Sequence, residues 1–366
     1  MTVDSLPTPA ILIDRARALH NIDRMQSAAD ARGIRLRPHS KTHKSPIVAR
    51  WQIDRGAVGI CCAKLGEAEV FADAGVADIR VPYPLNPVNA HRVLALLDRT
   101  RLSFIVDHLG VARQWSEALS RAGKTADVLV KVDVGFHRCG IDPDTRDTVK
   151  MIKAVAALPG LSLQGLLSHA GQTYHAHSDD ELRLMAEAEG RTMRDVASWC
   201  LQAGVAIHEL SAGATPPARF SMQQEGFTEY RPGNYVYFDR TQVALGAATL
   251  GDCALTVLAR VVSKPCKDRI ILDAGSKTLS SDGARGFAPP PGYGEVLGHS
   301  NLLIERLSEE HATVRVADRQ TSLEPGDLVR VLPNHSCVVS NLVDQAWLVD
   351  GEAAEPLPIA ARGRIT

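Results

Sequence analysis

The stretch Ile34-Arg-Leu-Arg-Pro-His-Ser-Lys-Thr-His-Lys44 joins a short strand to a dense polar cluster, and the reading of the fold follows from what repeats after it. Apolar or β-branched runs return at Ala57 to Cys61, Asp78 to Val81, Leu102 to Val106, Val128 to Val134, Leu163 to Ser168, Ile207 to Ala212 and Tyr230 to Tyr237. Each has strand length. Helical periodicity marks Ala16 to Arg32, Leu65 to Ala74, Val111 to Arg121, Thr145 to Ala157 and Asp180 to Ala203, several closing on the glycine that helix C-termini favour. A strand-then-helix unit repeated about eight times over roughly 230 residues predicts an α/β fold, a (β/α)8 TIM-type barrel with Ile34 to Pro38 as its first strand. An open Rossmann-like sheet is the alternative, but no GxGxxG follows an early strand.

After Gly246 the texture changes. Ala254 to Val262, Arg269 to Leu272, His311 to Val316, Leu328 to Leu332 and Gln345 to Val349 read as strands with no long helix between them, so a mainly β C-terminal domain is expected. The expected division is a barrel over residues 8–245 and a β-rich domain over 246–366, with residues 1–14 a candidate addition to the second. Ser280 to Gly294 is rich in Gly and Pro and reads as a loop that approaches an active site.

Composition excludes several classes of function. The 366 residues carry 41 basic against 42 acidic side chains and are 45% hydrophobic, which describes an ordinary globular chain without the basic field that nucleic acid attracts. No apolar run approaches the roughly 18 residues of a membrane span, and Met1 to Asp14 lacks the regions of a signal peptide. A cytoplasmic location is therefore expected. The seven cysteines are scattered and odd in number, which points to reduced thiols available as ligands or nucleophiles.

Three clusters can carry chemistry. Lys41 lies where the first barrel strand ends, the side on which barrel active sites form, among Arg37, His39, His43 and Lys44. Such cations lower a lysine's pKa and favour the neutral amine that a Schiff base needs; the plainer reading is a solvated basic loop that binds an anion. Ser211-Ala-Gly-Ala-Thr-Pro216 and Arg231-Pro-Gly-Asn-Tyr235 follow the last two strands, where barrels commonly hold a phosphate on backbone amides. Arg138 and His169 lie at the ends of the fifth and sixth strands, with a surface ion pair and a satisfied core imidazole as their plain readings. Pro333-Asn-His-Ser-Cys337 ends a β run. His and Cys two apart on an extended segment face one side and can share a cation, leaving positions open for water or substrate.

Together these segments resemble one family across nearly the whole chain, from Thr8-Pro-Ala10 to Ala361-Arg-Gly363. They are similar to the D-threonine aldolase and D-serine dehydratase group of fold-type III pyridoxal-phosphate enzymes, which share the alanine racemase type of barrel. The stretches carrying the likeness are Arg37 to Lys44, Gly59-Ile-Cys-Cys62 with Glu67-Ala-Glu69, Val132 to Gly135 with Arg138-Cys-Gly140, Ser211 to Pro216, Arg231 to Tyr235, Asp273-Ala-Gly275 and Pro333 to Cys337.

The resemblance implies that Lys41 carries pyridoxal 5'-phosphate as a Schiff base. It implies that Gly213, Thr215, Gly233 and Asn234, in segments that also hold Ser211 and Tyr235, bind the phosphate. Arg138 is expected near the phenolic oxygen, and His169 and Tyr174 near the ring as catalytic candidates. His335 and Cys337 match the divalent-metal ligands, Mn2+ or Zn2+ being the expected ions. The substrate implied is a small D-amino acid, and the assembly a homodimer. A cysteine as second metal ligand and the His169-Ala-Gly-x-x-Tyr174 pattern lean toward the dehydratases, whereas Gly59 to Cys62, Val132 to Gly140, Asp273 to Lys277 and the closing Ala361-Arg-Gly363 lean toward the aldolases. Retro-aldol cleavage of D-threonine is therefore the first expectation, and dehydration of D-serine or D-threo-3-hydroxyaspartate the second. An amino-acid racemase would leave His335 and Cys337 idle, and a non-catalytic cofactor carrier would not need the second domain.

Overall fold

Asp14 closes one element and opens the next. It ends β1 (Ala10–Asp14), and its carboxylate accepts the Arg17 amide at 2.9 Å to cap α1 (Arg15–Asp30). The structure, a computed structural model, describes residues 1–366 apart from the side chain of Arg146.

The barrel strands are β2 (Arg35–Leu36), β3 (Ile60–Cys61), β4 (Asp78–Pro84), β5 (Arg101–Val106), β6 (Ala126–Lys131), β7 (Leu161–Leu167), β8 (Glu209–Ala212) and β9 (Glu229–Tyr230). They pair in parallel in the order 2-9-8-7-6-5-4-3, and a parallel bridge between His39 and Cys61 joins the two ends of that row. A helix follows each strand: α2 (Pro46–Ile53), α3 (Leu65–Asp73), α4 (Ala90–Leu97), α5 (Leu109–Arg121), α6 (Arg146–Ala156), α7 (Asp179–Gln202), α8 (Ala218–Ser221) and α9 (Arg240–Ala244). The strands' outward faces pack on these helices around Phe104 and Trp115, whose ring centroids lie 4.9 Å apart. Truncating either aromatic to Ala would cost about 3–5 kcal/mol.

The eighth strand is shorter than its sequence suggests. The run Tyr230 to Tyr237 leaves the barrel after Tyr230, because Pro232 has no amide for the ladder and the following aromatics have a better burial site. Tyr235, Tyr237 and Phe238 pack into the core of the other domain, each no more than 2% exposed. Helices α2, α4, α8 and α9, of eight residues or fewer, are too short for periodicity to reveal.

The second domain contains β10 (Leu255–Cys266), β11 (Arg269–Leu272), α10 (Ser276–Leu279), β12 (Glu295–Val296), β13 (Leu302–Leu307), β14 (Ala312–Val316), β15 (Leu328–Leu332), α11 (Ser336–Ser340), β16 (Gln345–Asp350) and β17 (Ala353–Pro358). Its sheet runs 13-14-11-10-1-16-17, with β15 on β10 and β12 on β15. β1 sits inside this sheet, antiparallel to β10 and parallel to β16. The chain thus starts in one layer, winds the barrel, and returns. Among the described residues no helix is long and apolar enough to cross a membrane.

Candidate active site

Inside the N-terminal half of the barrel the side chains are charged. Arg37 donates to Glu229 at 2.7 Å and to Asp78 at 2.5 and 3.1 Å, and Arg80 pairs with both Glu209 and Glu229. Ser211 donates to Glu229 at 2.7 Å and accepts from Arg231 Nε at 2.7 Å, so this network ends on an arginine that lines the space above it.

That space is a cavity of about 260 Å³ at the C-terminal ends of the strands. Lys41 enters it from a 3-10 turn, Ser40–Thr42, that the His39 ring caps by accepting the Lys41 amide at 3.3 Å. Ser40 ties the turn to β3 through the Cys61 carbonyl at 2.9 Å. Behind it Lys44 adopts a left-handed φ of 47° and reaches Glu67 at 3.0 Å and Asn341 at 2.7 Å, fastening the turn to both domains. Burial lowers the pKa of Lys41, and Arg138 and Arg231 lower it further against the opposing pull of Cys337 and Glu67.

The opposite wall is backbone. A Cβ at Gly213 would meet the Arg231 carbonyl oxygen at 2.7 Å, so only glycine lets the turns after β8 and β9 close on each other. The amides of Gly213, Ala214, Gly233 and Asn234 have no backbone acceptor among the described residues. The Thr215 hydroxyl, which accepts the Tyr235 amide at 3.2 Å, keeps its proton for donation. This donor set fits a phosphate.

His169 and Tyr174 complete the cavity's inner side. The His169 Nδ1–H donates to the Gly213 carbonyl at 2.5 Å, which leaves the Nε2 lone pair free. Burial, then Lys41, Lys131 and Arg138, holds this imidazole neutral. Phe136 meets the ring edge-on at 5.8 Å and carries the Arg138 guanidinium on its face at 5.1 Å. Tyr174 accepts from Gln242 at 3.4 Å, and burial pushes its hydroxyl far above the ordinary range, so it stays protonated.

His335 and Cys337 face this group, though not as the spacing argument expects. Only His335 is extended, as the N-cap of α11, while Cys337 lies in the first turn of that helix. The helical turn rather than strand alternation brings the two together. Burial opposes a thiolate at Cys337, but His335, Lys41 and Thr42 outweigh it and bring the pKa below the ordinary thiol range. His335 rises to about 10 although it is partly withdrawn from water, because Cys337, Asp239 and Asp282 favour the cation. Asp282 holds its Nδ1 at 2.7 Å, and the Thr42 hydroxyl lies 3.1 Å from the Cys337 sulfur. Once a metal displaces the His335 proton, the imidazole, the Cys337 thiolate and the carboxylate behind the imidazole would suit a divalent ion with open positions.

Lys41, Arg138, His169, Tyr174, Gly213, Thr215, Gly233, Asn234, His335 and Cys337 therefore line one cavity within one chain. Two expected residues do not. The Ser211 hydroxyl is taken by Glu229 and Arg231, and the Tyr235 ring is buried with its hydroxyl accepting from Gln52 at 3.0 Å. The Asn234 side chain also turns away from the amide wall, donating to Asp239 at 2.6 Å and Ser336 at 3.1 Å. Asp239 was not visible as a site residue in the sequence. Its carboxylate caps α9 through the Gln242 amide at 3.0 Å and α11 through the Ser336 amide at 2.9 Å, one helix from each domain. Asp282, Gly283 and Arg285 come from the Ser280 to Gly294 loop.

Residues 13–241 match the family model described as "Alanine racemase, N-terminal domain", and residues 254–349 match the "Putative serine dehydratase domain". A D-threonine aldolase of an Arthrobacter species is 33% identical over 97% of this chain and 93% of its own. A D-threo-3-hydroxyaspartate dehydratase of a Delftia species is 34% identical over 92% of each chain. Its solved structure matches with a TM-score of 0.91 at 31% identity over 98% of both chains, and a cysteine-to-alanine variant of it is solved in a metal-free form. The solved D-threonine aldolase of Filomicrobium marinum gives a TM-score of 0.91 at 29% identity, covering 100% of this chain and 98% of that one. With both halves of the fold matched, the chain belongs to the alanine racemase-like family, in the group that joins this barrel to a D-serine dehydratase-type domain.

Proposed function

We propose that this chain is a pyridoxal 5'-phosphate- and divalent-metal-dependent lyase of D-β-hydroxy-amino acids, cleaving D-threonine or D-allo-threonine to glycine and acetaldehyde. The observation that carries the reading is the convergence, in one cavity, of a half-buried lysine held toward its neutral form, an amide wall that fits a phosphate, and a paired imidazole and thiol. When bound, pyridoxal phosphate supplies an electron sink for charge developing at Cα, and a divalent ion supplies a Lewis acid for an oxygen ligand.

The chain's own groups do the rest. Lys41, whose pKa is lowered toward the neutral amine, is the nucleophile toward the cofactor aldehyde and afterwards a candidate base for the Cα proton. Gly213, Gly233 and Thr215 anchor the phosphate, and Arg138 supplies positive charge at the cavity wall. His169 can accept a proton at Nε2, and Tyr174 can donate one. His335 and Cys337 would hold the metal, with Asp282 fixing the imidazole's tautomer.

Dehydration to a 2-oxo acid and ammonia is the second reading, and Cys337 favours it, since cysteine in that position is the dehydratase-like feature of the sequence. The two part at the bond that breaks. Loss of the β-hydroxyl proton with cleavage of Cα–Cβ gives glycine and the aldehyde, whereas loss of the Cα proton expels the hydroxyl. Incubation with D-threonine, pyridoxal phosphate and Mn2+ or Zn2+ tests the reading, with acetaldehyde and glycine assayed against 2-oxobutanoate and ammonia. Acetaldehyde is expected; 2-oxobutanoate alone would reverse the order of the two, and neither product from D-threonine, D-serine or D-3-hydroxyaspartate would overturn the lyase.

A further inference from the structure

Asp239 stands between the two ligand-holding walls of the cavity. Its side chain is buried, borders the cavity, and receives four donors on its two oxygens. Oδ2 accepts from Asn234 Nδ2 at 2.6 Å, from the Ser336 amide at 2.9 Å and from the Ser336 hydroxyl at 3.3 Å. Oδ1 accepts the Gln242 amide at 3.0 Å.

These donors belong to different working parts. Asn234 has its amide in the phosphate wall, while its side chain also comes within 3.5 Å of Cys337 Sγ. Ser336 separates His335 from Cys337. Gln242 reaches the Tyr174 hydroxyl at 3.4 Å. The next residue tightens the same junction: the Arg240 amide donates to the Pro333 carbonyl at 3.2 Å and its guanidinium to Asn334 Oδ1 at 3.2 Å. A phosphate on the Gly233 and Asn234 amides orders one partner of Asp239, and a metal on His335 and Cys337 orders another. Whichever ligand binds first bears an ordering cost that the second no longer meets.

We propose that Asp239 is a positioning residue that couples the two walls, so that a phosphate at Gly233 and Asn234 and a divalent ion at His335 and Cys337 each strengthen the binding of the other. The proposal rests on the lyase reading for its two ligands and not for the reaction. Two other routes need separating from it. Thr42, next to Lys41, places its hydroxyl 3.1 Å from Cys337 Sγ and accepts the Ser340 hydroxyl on its carbonyl, a bridge that starts at the aldehyde end of the cofactor. Direct attraction between phosphate and metal ion needs no bridge at all, and it does not depend on Asp239.

The test titrates the whole chain, freed of cofactor and metal, with pyridoxal 5'-phosphate in the presence and absence of Co2+, and with Co2+ in the presence and absence of pyridoxal 5'-phosphate. Cofactor absorbance and the thiolate-to-cobalt band are the readouts. In the wild-type protein each ligand is expected to tighten the other by one common factor, about 5-fold or more. Asp239→Asn leaves one accepting oxygen where there were two. It can serve Gln242 or the Asn234 and Ser336 side, but not both, and the common factor should fall toward unity. Ser336→Ala keeps the amide and loses only the hydroxyl bonds, so it should give a smaller drop, and it carries the test if Asp239→Asn does not fold. Pyridoxal, which lacks the phosphate, should bind with little dependence on Co2+. Weaker affinities with an unchanged factor in the variants would make Asp239 a structural or merely electrostatic residue and overturn the proposal. Undiminished coupling with pyridoxal would overturn it in favour of the Thr42 bridge. Independent binding of the two ligands to the wild-type protein would overturn it and leave the lyase reading standing, whereas a protein that binds neither ligand would refute both.

Discussion

The two halves of the barrel interior are both rich in charge and are built in opposite ways. In the N-terminal half every ion is answered: Arg37 by Asp78 and Glu229, Arg80 by Glu209 and Glu229, Arg35 by Glu209. In the C-terminal half Lys41, Arg138 and Arg285 line a cavity with no carboxylate in ion-pair reach among the described residues, and His39 and His169 are held neutral by burial and by those cations. A buried ion closed by its neighbours belongs to the fold. A group of cations gathered without counter-ions is completed by a ligand anion, and its shifted proton affinities are available for chemistry. Ser211 and Arg231 connect the two regimes.

Lys41→Ala gives the largest separation. Turnover is expected to fall about 10³-fold or more, with loss of the cofactor absorbance and of borohydride fixation. Stability should change little, because Lys41 contributes no closed ion pair. A variant that unfolds, or a borohydride-reducible complex at another lysine, would break the contrast on the cavity side.

Arg80→Met probes the other half. It leaves Glu209 and Glu229 short of a partner and should cost about 3–5 kcal/mol, measured by urea unfolding. Acid sharpens the same point. Burial alone would raise Glu229, but Arg80, Arg37 and Ser211 outweigh it and hold the carboxyl at about 2, against 4.5 in the unfolded chain. Because the folded value is the lower one, this stabilisation is full above pH 4.5 and is lost as pH falls toward 2. Glu229→Gln should be less stable at neutral pH and show a flatter acid slope in that window. An unchanged slope would remove Glu229 from the network's energetics.

The same division explains what was legible in the sequence. The barrel was visible because its strands bury one face under helices and repeat with a regular period. The Lys41 turn and the glycine turns after β8 and β9 were visible because polar and small residues interrupt apolar runs at strand ends. The charged interior was hidden, since Arg37, Arg80, Glu209 and Glu229 are far apart in sequence and only the ring of strands makes them neighbours. Asp239 was hidden for a related reason: its two capped helices are short and lie in different domains. The departure of Tyr235 from the cavity could have been suspected from Pro232 and from the aromatic run, which calls for a core of its own. The pairing of His335 with Cys337 was anticipated on the wrong local geometry, because a two-residue spacing serves an N-cap and the first turn of a helix as well as it serves a strand.

Asp282 offers the finest test, because it is a closed ion pair on the open side. Its bond to His335 at 2.7 Å resembles the pairs of the N-terminal half, yet both side chains are partly exposed, at 46% and 40%. A pair screened to that degree contributes at most about 1 kcal/mol to folding. Its carboxylate, however, determines which imidazole nitrogen carries the proton, and carboxylates placed behind a metal-ligating histidine typically alter metal affinity by about 10- to 100-fold. Asp282→Asn should therefore leave the urea midpoint nearly unchanged while weakening Co2+ binding by that factor, followed by chelator competition and by the thiolate-to-cobalt absorbance. The opposite pattern, lower stability with metal affinity intact, would assign Asp282 to the fold. The dividing line would then run between the domains rather than between the two halves of the barrel.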